Sequence, residues 1–308
     1  MTNHPGLYEI LGGLSGLSVL YDEPVSRHAS LRVGGRADAL VVTQNEDQLI
    51  EVVRRLKKNK IAFMPVGNLT NLIVRDGGYR GVILWMRGLE SVRPLPDEPA
   101  GAHIEAQAGA SLSRLVSLAA ARDLTGIEFC TGIPGSVGGA LWMNAGAYGS
   151  EIKDVVSTVT VIDGQGERKT LRREEIAFRY RASNLPEDVI ILKAVFHLAP
   201  GDGVAIRARM AEIMAWRHEK HPLQYPSAGS VFKNPPGLPA GKLIEELGLK
   251  GMRRGDAQVS ARHANFIVNK GRATAADVIA LIALIQEKAE KERGIKLDTE
   301  VVIVGENP

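Results

Sequence analysis

The sequence predicts an α+β protein in three parts, at residues 1–88, 89–202 and 203–308. Three observations predict it. Apolar residues switch between strand-like runs and helical spacing along the whole chain. Two loop-forming stretches, 94–101 (PLPDEPAG) and 200–203 (PGDG), interrupt that pattern. Glycine, at 33 of 308 residues, gathers at 77–78, 132–139 and 146–149, each between apolar runs. Such clusters mark tight turns, or backbone that must come close to something else.

In the first part, 39–43 reads as a strand, Leu49, Val52, Val53 and Leu56 recur at helical spacing, and 61–66 returns as a strand. Short strands at 72–74 and 82–86 are divided by Asp76-Gly77-Gly78. In the second, 103–106 is strand-like and Ser111 is placed to cap a helix carrying Leu112, Leu115, Val116 and Ala119 on one face. Residues 163–166 (DGQG) turn the strand 155–162 into a hairpin, and 189–198 closes the region. The third part opens with a helix at 204–219 that runs into Pro222. It continues with a helical segment at 242–247, a strand at 264–269, and a helix that Thr274 caps, with Asp277 at its third position, and Gly294 stops. The last strand, 301–304, has two open placements, with the third part or back with the first two.

Composition excludes several classes. Aromatics are only 5% of the chain, so stacking platforms for nucleic acid are not expected. The net charge of +3 suits an anionic small substrate, and the basic residues Arg54, Arg55, Lys57 and Lys58 lie on a helix whose other face is apolar. Cys130 is the only cysteine, which excludes a disulfide framework and a cysteine zinc site and fits a reducing compartment. His218 and His221 are three apart without a third ligand, so no metal is expected. Residues 1–10 lack the pattern of a secretory signal, and the apolar helix near 278–285 is too short for a bilayer. The expectation is a cytoplasmic protein without membrane or nucleic-acid contacts and with no implied protein partner, a monomer or weak oligomer.

The most informative stretch is 131–149 (TGIPGSVGGALWMNAGAYG). Gly132, Gly135, Gly138 and Gly139 leave backbone N–H groups unshielded, as phosphate oxygens require, although a structural turn fits the spacing equally well. No G-x-G-x-x-G opens a helix after the first strand, so this is not a Rossmann fingerprint. A second loop, within 65–78 (PVGNLTNLIVRDGG), offers Gly67, Asn68, Thr70 and Asn71. Two such loops from separate regions suit the pyrophosphate of a dinucleotide cofactor. In 227–235 (SAGSVFKNP), Ser230 follows Gly229 and precedes an apolar pair, without the elbow motif of a hydrolase. In 178–184 (FRYRASN), Arg179 and Arg181 flank Tyr180, while Asp298 and Glu300 lie just before the last strand. Arginine can clamp a carboxylate or phosphate with two parallel hydrogen bonds.

These strings, together with the terminal LDTEV, resemble the UDP-N-acetylenolpyruvoylglucosamine reductase family, in the family's order and over about 28–304. The resemblance implies a two-lobed FAD domain of the p-cresol methylhydroxylase and vanillyl-alcohol oxidase type, followed by an α+β substrate domain. It implies NADPH-dependent reduction of UDP-N-acetylglucosamine enolpyruvate to UDP-N-acetylmuramate, through FAD, for peptidoglycan precursors. By resemblance Gly67, Asn68, Thr70, Asn71, Gly132, Ile133, Pro134, Gly135, Ser136, Gly138, Gly139 and Arg217 hold the cofactor. Arg181 and Glu300 stabilise the charge that hydride addition creates, and Ser230 gives a proton to C2. Tyr148, Lys220, Asn234, His263 and Asn265 match substrate-holding positions, with Lys220 near the UDP phosphates. One departure is Leu69, where the family's first loop carries glycine. The span from Tyr180 to Lys220 has no room for an extra tyrosine-bearing loop, which implies the short-loop subclass. An FAD oxidase of small alcohols and a non-enzymatic nucleotide-binding module are the competing readings.

Overall fold

The computed structural model describes residues 6–96, 101–163 and 165–308. Residues 1–5, the middle of the loop 94–101 and Gly164 of the 163–166 turn lie outside the described residues.

The first lobe is built on a four-stranded sheet. Ser18–Pro24 pairs antiparallel with Arg36–Val42, which runs parallel to Tyr79–Trp85, itself parallel to Phe63–Val66. Parallel strands need a crossover, and helix Glu46–Lys58 carries the chain from Arg36–Val42 to Phe63–Val66, on the far side of Tyr79–Trp85. Its start is fixed by the Asn45 side chain, which accepts from the Gln48 N–H, and acidic residues in the first turn with basic ones in the last complement its dipole. Leu49, Val52, Val53 and Leu56, which share the spacing read from the sequence, are all buried. Helix Leu7–Leu11 and strand Ser18–Pro24 were not legible in the sequence; the helix is one short turn and the strand's alternation is weak.

The second lobe is an antiparallel sheet in the order Arg168–Arg172, Val156–Ile162, Ile190–Pro200, Ala102–Gln107 and Val92–Pro94. Ala102–Gln107 buries every second residue, as a half-covered strand must. The Ser111 hydroxyl accepts from the Arg114 N–H at 3.2 Å and opens helix Leu112–Ala121. One continuous apolar core joins both lobes, from Leu49 and Leu84 to Leu115 and Phe196. Helix Gly203–Lys220, capped by Asp202, packs on Leu112–Ala121 and on Leu124–Thr125. It therefore rests on the second lobe, although the break in the sequence precedes it.

In the third part, Ser227–Ser230, Phe266–Asn269, Ala257–Val259 and Arg253–Arg254 form an antiparallel sheet beside helices Ala240–Glu246 and Ala275–Arg293. The long helix has the expected ends: Thr274 and Asp277 exchange both capping hydrogen bonds, and Gly294 takes the left-handed conformation at φ 65°. The final strand, Val302–Val304, leaves this part and pairs in parallel with Leu72–Val74 of the first lobe. Two further ties hold the same junction. The Asp76 carboxylate accepts from the N–H groups of Ala275 and Ala276 at 2.9 and 2.8 Å, and Asn269 Nδ2 donates to the Leu31 carbonyl. Among the described residues no helix is long and apolar enough to cross a membrane, and no cluster of three or more His, Cys, Asp or Glu is placed to hold a metal.

Candidate active site

The two glycine-rich loops come from different lobes and meet. A Cβ placed on Gly67 would lie 1.9 Å from Ser136 Oγ, and one on Gly135 would lie 3.9 Å from Thr70 Oγ1. Glycine at 67 is thus what allows the contact. Leu69 takes φ 49°, the conformation the family's glycine would favour, and is buried with Val66, Leu72 and Val74. Left-handed backbone costs a non-glycine residue roughly 1–2 kcal/mol. Burying a leucine contributes about 1.5–3 kcal/mol, enough to offset it.

Residues 137–142, expected to be part of an open bend, form a short helix, Val137–Trp142. Gly138 N–H donates to the Ala108 carbonyl at 2.8 Å and Gly139 N–H to Ser136 Oγ at 3.2 Å. These two glycines are therefore not donors to a ligand. Gly138 instead lets the helix lie against Ala108, where a Cβ would meet backbone and side chain at 2.9–3.1 Å. Among the described residues no backbone carbonyl takes up the N–H groups of Gly132, Gly135 and Ser136.

Beside them lies a buried cation. Arg217, 8% exposed, packs against Gly132, and its Nε has no hydrogen-bond partner among the described residues; neither does Thr131 Oγ1. Burial pulls the Arg217 pKa down, so an anion at this point relieves a real cost. A two-loop cradle with an unsatisfied guanidinium and hydroxyl fits a cofactor that carries a diphosphate.

Arg181 and Glu300 are paired directly, Nε to Oε1 at 2.9 Å, and Arg181 Nη2 also donates to the Gly146 carbonyl at 3.0 Å. Arg181 adopts φ 53°, and its guanidinium lies 5.0 Å from the Tyr180 ring centre. A non-glycine residue held in that region stores strain of the kind found at functional sites. Burial pushes the Glu300 carboxyl above the ordinary carboxylate range, against the pull of Arg181 and Lys233. Ser230 ends strand Ser227–Ser230, half-buried, after Gly229 at φ 74° and a register irregularity against Phe266–Asn269 that re-aims the chain. The next residue, Val231, accepts the Glu300 N–H at 2.7 Å. Arg181 of the second lobe thus meets Glu300 of the third part, and the Glu300 backbone is tied to the residue after Ser230.

The expected substrate residues divide. Tyr148 is exposed at φ 55°, 5.3 Å from the Trp216 ring and 5.7 Å from the Arg217 guanidinium. Lys220 is the exposed last residue of its helix. Asn234 is exposed, but its Oδ1 accepts from the Ala240 N–H and its N–H donates to Tyr180 Oη. Asn265 is placed differently from the expectation. It is 3% exposed, and both ends of its amide bind the Phe232 backbone, at 2.9 and 2.8 Å. It braces the segment that follows Ser230, and its amide is used up there. His263 packs edge-on against His221 and Phe266. His221, weighed in the sequence only as a metal ligand, has its pKa pushed down to about 4 by burial and by the charge of Arg217, so it is neutral at physiological pH. Asn144 was missed as well. It is fully buried, and donates to Glu151 and to the Arg179 carbonyl, which anchors the loop bearing Arg181. Its only sequence signal is an asparagine inside a glycine cluster.

A cradle closed by loops from two lobes, next to a buried and partly unsatisfied arginine, suits the diphosphate of FAD, and the class is an FAD-dependent oxidoreductase. Residues 37–172 match the model of an FAD binding domain, and residues 221–304 match UDP-N-acetylenolpyruvoylglucosamine reductase, C-terminal domain. The chain belongs to the UDP-N-acetylenolpyruvoylglucosamine reductase family. It is 52% identical to the reductase of Syntrophus aciditrophicus over 290 residues, covering 94% of this chain and 93% of the relative. It is 46% identical to that of Geobacillus kaustophilus over 290 residues, with 94% of each chain covered. The crystal structure of the reductase from Thermus caldophilus superposes with a TM-score of 0.78 at 33% identity, over 93% of this chain and 98% of that one.

Proposed function

We propose that the chain reduces the enolpyruvyl ether of UDP-N-acetylglucosamine to UDP-N-acetylmuramate, with NADPH as electron donor, during synthesis of peptidoglycan precursors. The observation that carries this reading is the 2.9 Å Arg181–Glu300 pair, locked through Val231 to the strand that ends in Ser230. When bound, FAD reduced by NADPH would supply a hydride. Addition at C3 of the enolpyruvyl group places negative charge on C2 and its carboxylate. Arg181 meets that charge as a fixed planar cation, and Glu300, which burial favours in the protonated form, donates a hydrogen bond. Ser230 then delivers a proton to C2, which completes the lactyl ether. Donors of this kind each contribute about 10²–10³ in rate.

Gly67, Asn68, Thr70 and Asn71 of one loop, and residues 132–136 of the other with Arg217, would hold the cofactor. Tyr148, Lys220, Asn234 and His263 line the approach for the sugar nucleotide, with Lys220 serving its phosphates. Strand Ile190–Pro200 and helix Gly203–Lys220 occupy most of the span between Tyr180 and Lys220, which favours the short-loop subclass. A nucleotide-sugar substrate, NADPH and a lone buried Cys130 favour the cytoplasm, and we assign the chain as a monomer or weak oligomer there. The test is the visible spectrum of the purified protein under anaerobic conditions. A flavin spectrum bleached by NADPH and restored by the enolpyruvyl sugar nucleotide supports the reading. A flavin restored only by oxygen indicates an oxidase, and a colourless protein indicates a nucleotide-binding module.

A further inference from the structure

We propose that Asn71 is a positioning residue for Glu300, through which the cofactor loop governs where that carboxyl lies. The inference rests on the role assigned to Glu300 above. Glu300 belongs to no helix or strand: it follows an isolated bridge between Phe232 and Thr299 and precedes the strand Val302–Val304. Its backbone is held at two points. Its N–H donates to the Val231 carbonyl at 2.7 Å, and its carbonyl accepts from Asn71 Nδ2 at 2.9 Å. Asn71 grips the other side of the same turn as well, since its carbonyl accepts from the Val302 N–H at 3.0 Å. From the next residue on, Leu72–Val74 runs in register with Val302–Val304.

Asn71 is also the last residue of the loop that begins at Gly67 against Ser136. The same loop carries the left-handed Leu69, whose carbonyl accepts from the Ser30 N–H. A shift of the loop is therefore delivered to Glu300 by one side-chain amide and one carbonyl. The Glu300 carboxyl has little freedom to compensate, being 13% exposed and already bound to Arg181 Nε. A small misplacement of such a group is felt strongly, because a displacement of about 1 Å can cost roughly 10² in rate.

The test uses the FAD-loaded enzyme with Asn71→Ala, and with Asn71→Asp as a second variant that keeps the shape and loses the donor. Reoxidation by the enolpyruvyl sugar nucleotide should slow by about 10–100-fold, at least about tenfold more than any slowing of flavin reduction by NADPH in the same flavin-loaded protein. Hydrogen exchange, read on the peptide that covers 299–304 in the flavin-loaded protein, should rise by about tenfold in both variants. Asn71→Ala combined with Glu300→Gln should be hardly slower than Glu300→Gln alone, since both changes remove one function. Unchanged exchange at 299–304, or equal slowing of both half-reactions, overturns the proposal and leaves Asn71 as a cofactor contact only. If Glu300→Gln itself leaves reoxidation unchanged, the fault lies in the role of Glu300 and the proposal falls with it.

Discussion

Arg181 Nε and Glu300 Oε1 lie 2.9 Å apart although 119 positions separate them in the chain. The arginine is held on a strained turn of the second lobe, and the carboxylate on the segment that crosses from the third part to the first. Neither is fully exposed, at 18% and 13%. Arg181→Lys keeps the charge but loses the planar fork, so reoxidation of reduced flavin by the sugar nucleotide should slow by about 10². Flavin content and NADPH oxidation by the bound flavin should change little. Wild-type turnover would remove Arg181 from the chemistry.

The raised pKa of Glu300 sets the direction of a pH effect. Its ordinary value is 4.5, and burial moves it upward in the folded protein. Stability due to the protonated form is complete below 4.5 and is lost as pH rises through the raised value. Wild type should therefore lose stability relative to Glu300→Gln as pH climbs, in denaturant titrations at several pH values. The sugar-nucleotide half-reaction of wild type should fall over the same window, and the glutamine variant should lack that limb. Parallel stability curves would show that the carboxyl is ionised throughout.

His221 works in the opposite direction. Its pKa falls from 6.5 to about 4, with Arg217, Lys220 and His263 as its charged or titratable neighbours. The unfolded chain takes up that proton first, so stability is present above 6.5 and lost as pH falls toward 4. Denaturant midpoints of wild type should drop more steeply across this window than those of His221→Gln. Equal slopes would mean that the imidazole titrates normally.

The meeting of the two loops is testable by adding single methyl groups. Gly67→Ala drives a Cβ into Ser136 Oγ and should yield protein with little flavin, read from the ratio of visible to ultraviolet absorbance. Gly135→Ala meets protein atoms no nearer than 3.9 Å, so the fold alone tolerates it. Loss of flavin from Gly135→Ala would therefore report a ligand oxygen close to that backbone. Full flavin content in Gly67→Ala would contradict the contact.

Asp76 joins the first lobe to the long helix of the third part by two hydrogen bonds to its first turn. Asp76→Ala should destabilise the protein by about 1–2 kcal/mol, as loss of a helix cap does, measured by urea unfolding. A variant as stable as wild type would show that strand pairing alone holds the junction.

Much of this architecture is written in local signals. Ser111, Thr274 with Asp277, and Gly294 announce helix ends because capping chemistry acts within a few residues. The helix Val137–Trp142 was hidden because Gly138 and Gly139 are poor helix formers, and tertiary contact with Ala108 overrides that preference. The partner of Val302–Val304 could not be read, since the strand it joins lies some 230 positions earlier and parallel pairing leaves no turn between them. Short sequence strings and the family resemblance brought Ser230, Arg181 and Glu300 to notice. The commitment of Asn265 to Phe232, and of Asn71 to Glu300, appears only once side chains have positions.

The most direct measurement is anaerobic double mixing of wild type and Ser230→Ala, first with NADPH and then with the enolpyruvyl sugar nucleotide. Proton delivery by Ser230 predicts nearly equal bleaching of the flavin in both proteins. Its return should be slower in the variant by about 10²–10⁴, the range expected on losing a positioned proton donor. Equal recovery of the flavin in the two proteins, or equal loss in both steps, would contradict the account.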